Sequence, residues 1–210
     1  MASRVFLFVI AIVAWLAVAL QIFLTTEAVM RDGFSALYGI VKALSYFTIL
    51  TNLLVAVVAT SALAARPAGT FFNRPSTMSA TAVYIAVVGI IYSLLLRALW
   101  EPSGLQLAVD VALHDAVPVL YDAYWVLYVP KGSLRWFDAV RWLLYPLAYV
   151  LYTMARGEHT GDYPYPFANV AQLGYATVFA NTALLFVVFF ALGLICVAAG
   201  RALVQPMRMR

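Results

Sequence analysis

Six stretches of the chain are apolar over about the length that crosses a bilayer, and short segments rich in proline, glycine and charge separate them. They cover about residues 5–24, 37–64, 79–100, 105–129, 137–154 and 170–199. A helix rises 1.5 Å per residue, so about 20 residues traverse a hydrocarbon core of roughly 30 Å, and each stretch predicts one membrane-spanning helix. The first, Val5 to Leu24 behind Arg4, resembles a signal peptide, but its apolar run is longer than a secretory one and ends at no clear cleavage site. It predicts a retained helix. Pro146 predicts a kink in the fifth helix, and the linkers read as a polar loop from Thr25 to Ser35, a Pro-, Gly- and Arg-rich turn from Ala65 to Thr77, and a longer loop from Ala155 to Asn169.

Composition agrees with this pattern. Hydrophobic residues make up 65% of the chain and charged ones 10%, and mean hydropathy is +0.93. A soluble domain of this size cannot keep so much apolar surface dry, which predicts an all-α integral membrane protein, one six-helix domain over residues 1–210. Arg4, Arg66, Arg74, Lys131, Arg135, Arg201, Arg208 and Arg210 fall on the side of the two termini, with Arg141 near that membrane edge, and outnumber Arg31, Lys42, Arg97 and Arg156 on the other. Positive loops stay inside, so both termini are expected to be cytoplasmic, in the cell membrane if the source is prokaryotic. The same distribution accounts for the basic balance without a nucleic-acid partner. Trp100 and Trp136 read as interfacial anchors. The one cysteine, Cys196, lies in the last apolar run, which excludes an internal disulfide; no metal site and no cofactor are implied.

The fourth stretch breaks the pattern of apolar spans: Asp110, His114, Asp115 and Asp122 all lie in it. Ionisable groups in hydrocarbon cost several kcal/mol unless partnered or wetted, so they mark candidate sites. At 100° per residue Asp110, His114, Pro118 and Tyr121 share one face, and Ser45, Thr48 and Asn52 share a face of the second stretch. The predicted topology puts Thr48 and His114 at similar depth in the outer half of the membrane. Serine and threonine in membrane helices commonly bond a backbone carbonyl, and a buried histidine can be held by a neighbouring helix, so a purely structural reading stands beside the chemical one. The chemical one is acyl transfer on a lipid-soluble ester. A hydroxyl is a weak nucleophile that needs a base, and an imidazole can take its proton and return it to the leaving group. Asp110 or Asp115 would orient the imidazole, and Asn52 and Ser45 are the nearest candidates to stabilise an oxyanion. Asp115 and Asp122 lie on another face, suited to pairing with Arg97 or Lys42. The loop motif that contains Tyr165, Pro166 and Phe167 is too apolar and proline-stiffened for an ordinary loop and predicts a lid over the cavity mouth, or an aromatic anchor. His159, beside Glu158 and Asp162, reads as solvated.

Three segments, YFTILTNLL (Tyr46 to Leu54), LHDAVPVL (Leu113 to Leu120) and HTGDYPYPF (His159 to Phe167), occur in that order. Together they resemble the signature regions of the family of androgen-induced membrane proteins and androgen-dependent regulators of tissue factor pathway inhibitor, and of related prokaryotic six-helix membrane proteins. The resemblance covers about half the chain. It implies a multi-helix membrane hydrolase that cleaves fatty acid esters of hydroxy fatty acids with an intramembrane threonine and histidine, matched here by Thr48, after Phe47, and His114, before Pro118. The family's TG and YPF are matched by Thr160, Gly161, Tyr165, Pro166 and Phe167. The chain departs from the pattern at Thr51, where an acidic residue is expected, and in the acidic neighbours Asp110 and Asp115. Thr51 is the alternative nucleophile.

The expectation is therefore an intramembrane threonine hydrolase taking a lipid substrate from the bilayer through an acyl-threonine. A small-solute or proton-coupled transporter that uses the same Asp and His cluster is the alternative, and it predicts no dependence on Thr48. Oligomeric state is not legible in the sequence.

Overall fold

The computed structural model describes residues 1–64 and 70–204. Arg66, Arg208 and Arg210, assigned above to the cytoplasmic side, lie outside the described residues. Among the described residues every regular element is helical and none is a strand. Three helices are long and apolar enough to cross a membrane, spanning Ala2–Arg31, Pro75–Leu99 and Val170–Ala202, and a bent pair adds a fourth if it is one broken span. That is fewer than six by length and composition. The chain forms two compact units, Met1–Pro130 and Lys131–Arg210, where the sequence reads as one domain.

In the first unit α1 (Ala2–Arg31) runs past the expected end at Leu24. Thr25 to Arg31 are helical rather than loop, with two side-chain pairs along the helix supporting them: Gln21 donates to Thr25 Oγ1 at 3.1 Å and Arg31 pairs with Glu27 at 2.5 Å. Gly33, at φ +85°, turns the chain into α2 (Ala36–Leu44), capped by Ser35 Oγ. Gly39 lies against the α1 backbone, where a Cβ would stand 2.7 Å from Thr26 Cα.

The predicted helix from 37 to 64 is not one helix. It breaks at Ser45–Tyr46, and α3 (Phe47–Leu63) leaves at 78° to α2. Ser45 Oγ bonds back to the Val41 carbonyl at 2.7 Å, and the Ser45 and Tyr46 amides bond three residues back to Lys42 and Ala43. Such back-bonding tightens and ends a turn, and Tyr46 then adopts an extended conformation. Two successive apolar helices carry no periodicity signal of the joint.

Helix α3 returns antiparallel to α1, with Arg4 donating to the Leu63 carbonyl at 3.3 Å and Trp15 Nε1 to Thr60 Oγ1 at 3.0 Å. Helix α4 (Pro75–Ile91) starts on Pro75 and continues through a π-turn (Tyr92–Leu96) and a 3₁₀ turn (Arg97–Leu99). The predicted fourth span is helical from Gly104 to Tyr128, as α5 (Gly104–Val111), a second π-turn (Ala112–Ala116) and α6 (Val117–Tyr128). It also runs antiparallel to α1: Gln106 donates to Gln21 at 2.8 Å, and Phe6 stacks on Tyr124 at the other end. Hence α3 and α5–α6 run in the same direction. Ala17, Val18, Ile49, Val109 and Leu113 form a core cluster where the three meet.

In the second unit the predicted helix 137–154 is α7 (Trp136–Arg141) and α8 (Leu144–Thr160). The break falls at Trp142–Leu143, one turn before Pro146. A proline clashes with the carbonyl four residues earlier and lacks the amide that would reach it, so the residues before Pro146 leave the helix and it becomes part of a first turn. Ala155 to Thr160, expected in the loop, are the last turns of α8, which Gly161 closes at φ +71°. Helix α9 (Val170–Val204) kinks at Gly174, φ +73°.

Candidate functional site

His114 sits inside the second π-turn, and the reason is four residues away. Pro118 has no N–H, so it can close neither an ordinary turn onto the His114 carbonyl nor a wider one onto that of Leu113. The Leu113 carbonyl is met from another helix. Asn52 Nδ2, on fully buried Asn52, donates to the Leu113 carbonyl at 3.2 Å as well as to the Thr48 carbonyl at 2.9 Å. The His114 carbonyl lies close to Gly89 of α4, where a Cβ would be 3.2 Å away, and the missing side chain makes room for that approach. Asn52 therefore ties the first turns of α3 to the turn that carries His114.

The His114 ring is fixed on three sides. Its Nδ1 lies 3.0 Å from the Asp110 carbonyl and 3.1 Å from Asp110 Oδ1. The carbonyl takes the hydrogen bond, and the carboxylate oxygen stands beside it as a nearby charge. Tyr92, from the first π-turn, stacks on the imidazole with centroids 3.7 Å apart and planes 11° from parallel. The Tyr92 hydroxyl donates to Asp110 Oδ2 and accepts Trp100 Nε1–H at 3.3 Å. Both π-turns thus place a site residue, and widened turns of this kind recur where function needs a side chain re-aimed.

Of the residues singled out by sequence, the structure groups Asp110 with His114 and links Thr48 to their helix through Asn52. Thr48 (8% exposed) lies in the first turn of α3, and Thr51 (0%) is buried one turn on. Since α3 and α5–α6 run the same way and Asn52 meets Leu113, Thr48 lies one turn earlier, at the level of Val109 and Asp110. Ser45 belongs to the joint between α2 and α3. Asp115 does not orient the imidazole: it pairs with Arg97 at 2.5 Å, both side chains substantially exposed. The Arg97 guanidinium also lies 5.1 Å from the Tyr92 ring centroid. Asp122 Oδ1 is buried without a hydrogen-bond partner among the described residues.

Tyr165, Pro166 and Phe167 belong to the second unit. There Tyr165 and Phe167 stack at 5.1 Å, Asn181 holds the Phe167 carbonyl at 2.9 Å, and Arg156 clamps the Asp162 carboxylate and carbonyl at 2.9 and 2.7 Å. The Tyr163 ring lies where a Cβ on Gly157 would be. His159 is exposed, at the end of α8. Among the described residues no group of three His, Cys, Asp or Glu side chains converges as a metal ion would require.

Sequence reasoning missed Tyr92 and took Trp100 for an anchor. The available signal was the antiparallel pairing of the third and fourth stretches, which puts the end of one beside the start of the other. No protein family, curated protein or solved structure matches the chain. The likeness to the androgen-induced membrane proteins is carried by the three motifs alone.

Proposed function

We propose that the chain is a multi-pass membrane protein with six membrane-crossing segments and both termini on the cytoplasmic side, and that it hydrolyses a lipid ester at Thr48. The observation that carries this reading is the arrangement of Asp110 on His114: with Nδ1 held by its own helix, Nε2 is the nitrogen left for proton transfer. In the reaction, Thr48 Oγ1 bonds to the ester carbonyl carbon as His114 Nε2 takes its proton. The tetrahedral adduct collapses, the alcohol leaves with the proton from His114, and an acyl-threonine remains. Water attacks that ester, gives its proton to His114, and the fatty acid departs as Thr48 recovers its hydrogen. The Asp110 charge stabilises the imidazolium formed on the way. Thr48 lies in the first turn of α3, whose dipole favours negative charge developing on an attacked carbonyl. The three motifs support the substrate class, a fatty acid ester of a hydroxy fatty acid.

The test is labelling of the detergent-purified protein by a lipid-like fluorophosphonate, with the adduct located by mass spectrometry. Thr48→Ala and His114→Ala should abolish labelling and Thr51→Ala should keep it. An adduct on Thr51 would move the nucleophile, and folded wild-type protein that does not label would refute the hydrolase. Proton-coupled transport is the second reading, favoured by Asp122, whose buried carboxylate the hydrolysis does not use. It predicts loss of uptake in Asp122→Asn and none in Thr48→Ala.

A further inference from the structure

Within its own helix the Asp110 carboxylate meets only His114, and there as a nearby charge rather than through a hydrogen bond. The fixing group comes from the neighbouring helix: the Tyr92 hydroxyl, itself aimed by Trp100 Nε1–H at 3.3 Å, donates to Oδ2. With one oxygen pinned there, the other stands 3.1 Å from His114 Nδ1. The same tyrosine covers the imidazole face at 3.7 Å. Asp110 is 4% exposed and Tyr92 4%, so solvent offers the carboxylate little alternative. Each π-turn matters to this geometry, because one presents Tyr92 and the other His114.

We propose that Tyr92 is the positioning residue of the site: through its hydroxyl it holds the Asp110 carboxylate beside His114 Nδ1, where the negative charge adds to the carbonyl hydrogen bond in keeping the proton on that nitrogen and leaving Nε2 as the base. The assignment rests on the hydrolase reading for its catalytic meaning, but not for its geometry. If Tyr92 were mere packing, the ring alone would suffice, and Tyr92→Phe would behave as wild type.

Two measurements on the full-length protein test it. In the first, Thr48 labelling is compared in Tyr92→Phe, Asp110→Asn and the double variant. Tyr92→Phe should slow labelling about tenfold, as loss of a hydrogen bond to a charged group does. The double variant should be no slower than Asp110→Asn, because the hydroxyl acts through the carboxylate; penalties that multiply overturn the proposal. The second needs no activity. The chain has 2 histidines, so a ¹⁵N-histidine spectrum resolves them, and His159→Gln assigns His114. Wild type should show the Nδ1–H tautomer, and Tyr92→Phe should raise the Nε2–H share about fivefold, because the negative charge that favours a proton on Nδ1 is no longer held beside it. An Nε2–H tautomer in wild type, or a Tyr92→Phe spectrum that superimposes on it, overturns the proposal without reference to any variant's activity. A tautomer that responds to Tyr92→Phe in a protein whose Thr48 never labels upholds Tyr92 and removes the hydrolase.

Discussion

Replacing Asn52 by leucine, which keeps the branching at Cγ but is larger, removes the link between α3 and the turn that carries His114. It removes the donor to the Leu113 carbonyl at 3.2 Å and to that of Thr48 at 2.9 Å. The second loss is small, since the Thr48 carbonyl lies within the ladder of α3. The first leaves a buried carbonyl that Pro118 cannot serve, at about 1–3 kcal/mol. Leucine also deletes Asn52 Oδ1, which is buried without a hydrogen-bond partner among the described residues, and this returns about 1 kcal/mol. The net is about 0–2 kcal/mol, to which the larger side chain adds overpacking of about 1–3 kcal/mol whatever the residue at 118, and Tm falls by about 2–4 °C per kcal/mol for a chain of this length. Pro118→Ala supplies an N–H to the same pair of carbonyls, so in that background Asn52→Leu should cost about 1–3 kcal/mol less. Thermal unfolding in one detergent, followed by circular dichroism for all four proteins, gives the cycle. Equal penalties in the two backgrounds would refute the claim that Asn52 answers for the missing proline amide.

Gly39→Ala should lower Tm although alanine is the better helix former, because the added Cβ would stand 2.7 Å from Thr26 Cα and drive α2 off α1; overpacking of about 1–3 kcal/mol exceeds a propensity gain of about 1. A rise in Tm would show that α2 is not seated there. Burial holds the Lys131 ammonium below the usual lysine range. A folded value lower than the unfolded one means that the unfolded chain binds the extra proton between them, so stability rises with pH as the usual lysine range is approached. Thermal unfolding of Lys131→Met across alkaline pH should show that rise flattened; an unchanged slope would assign it elsewhere.

What the sequence discloses here is mostly what apolarity and phase can carry. The helical run from Gly104 to Tyr128 and the Asp110–His114 face are legible because an ionisable group in an apolar run needs a reason. Pro118 was equally visible, but its consequence was not: that Asn52 donates to a carbonyl the proline cannot serve, and that Gly89 leaves room for the next one, is a fact about other helices. The joint at Ser45–Tyr46 hides because both helices it connects are apolar. Tyr92 hides for the opposite reason, since an aromatic near the end of a span looks like every other one at a membrane edge. Asp115 misled by sitting next to His114 in sequence, which on a helix points it about 100° away, toward Arg97.

The unequal lengths of α1 and α3 have a mechanical outcome. Their 30 and 17 residues differ by about 20 Å of helix. A helix longer than the local bilayer answers by leaning, and α1 cannot lean alone, because α2 touches its backbone through Gly39 and Thr26. In a bilayer, a lean of α1 would therefore carry α2 with it, and the joint at Ser45–Tyr46, three residues before Thr48, is where that lean would meet the first turn of α3.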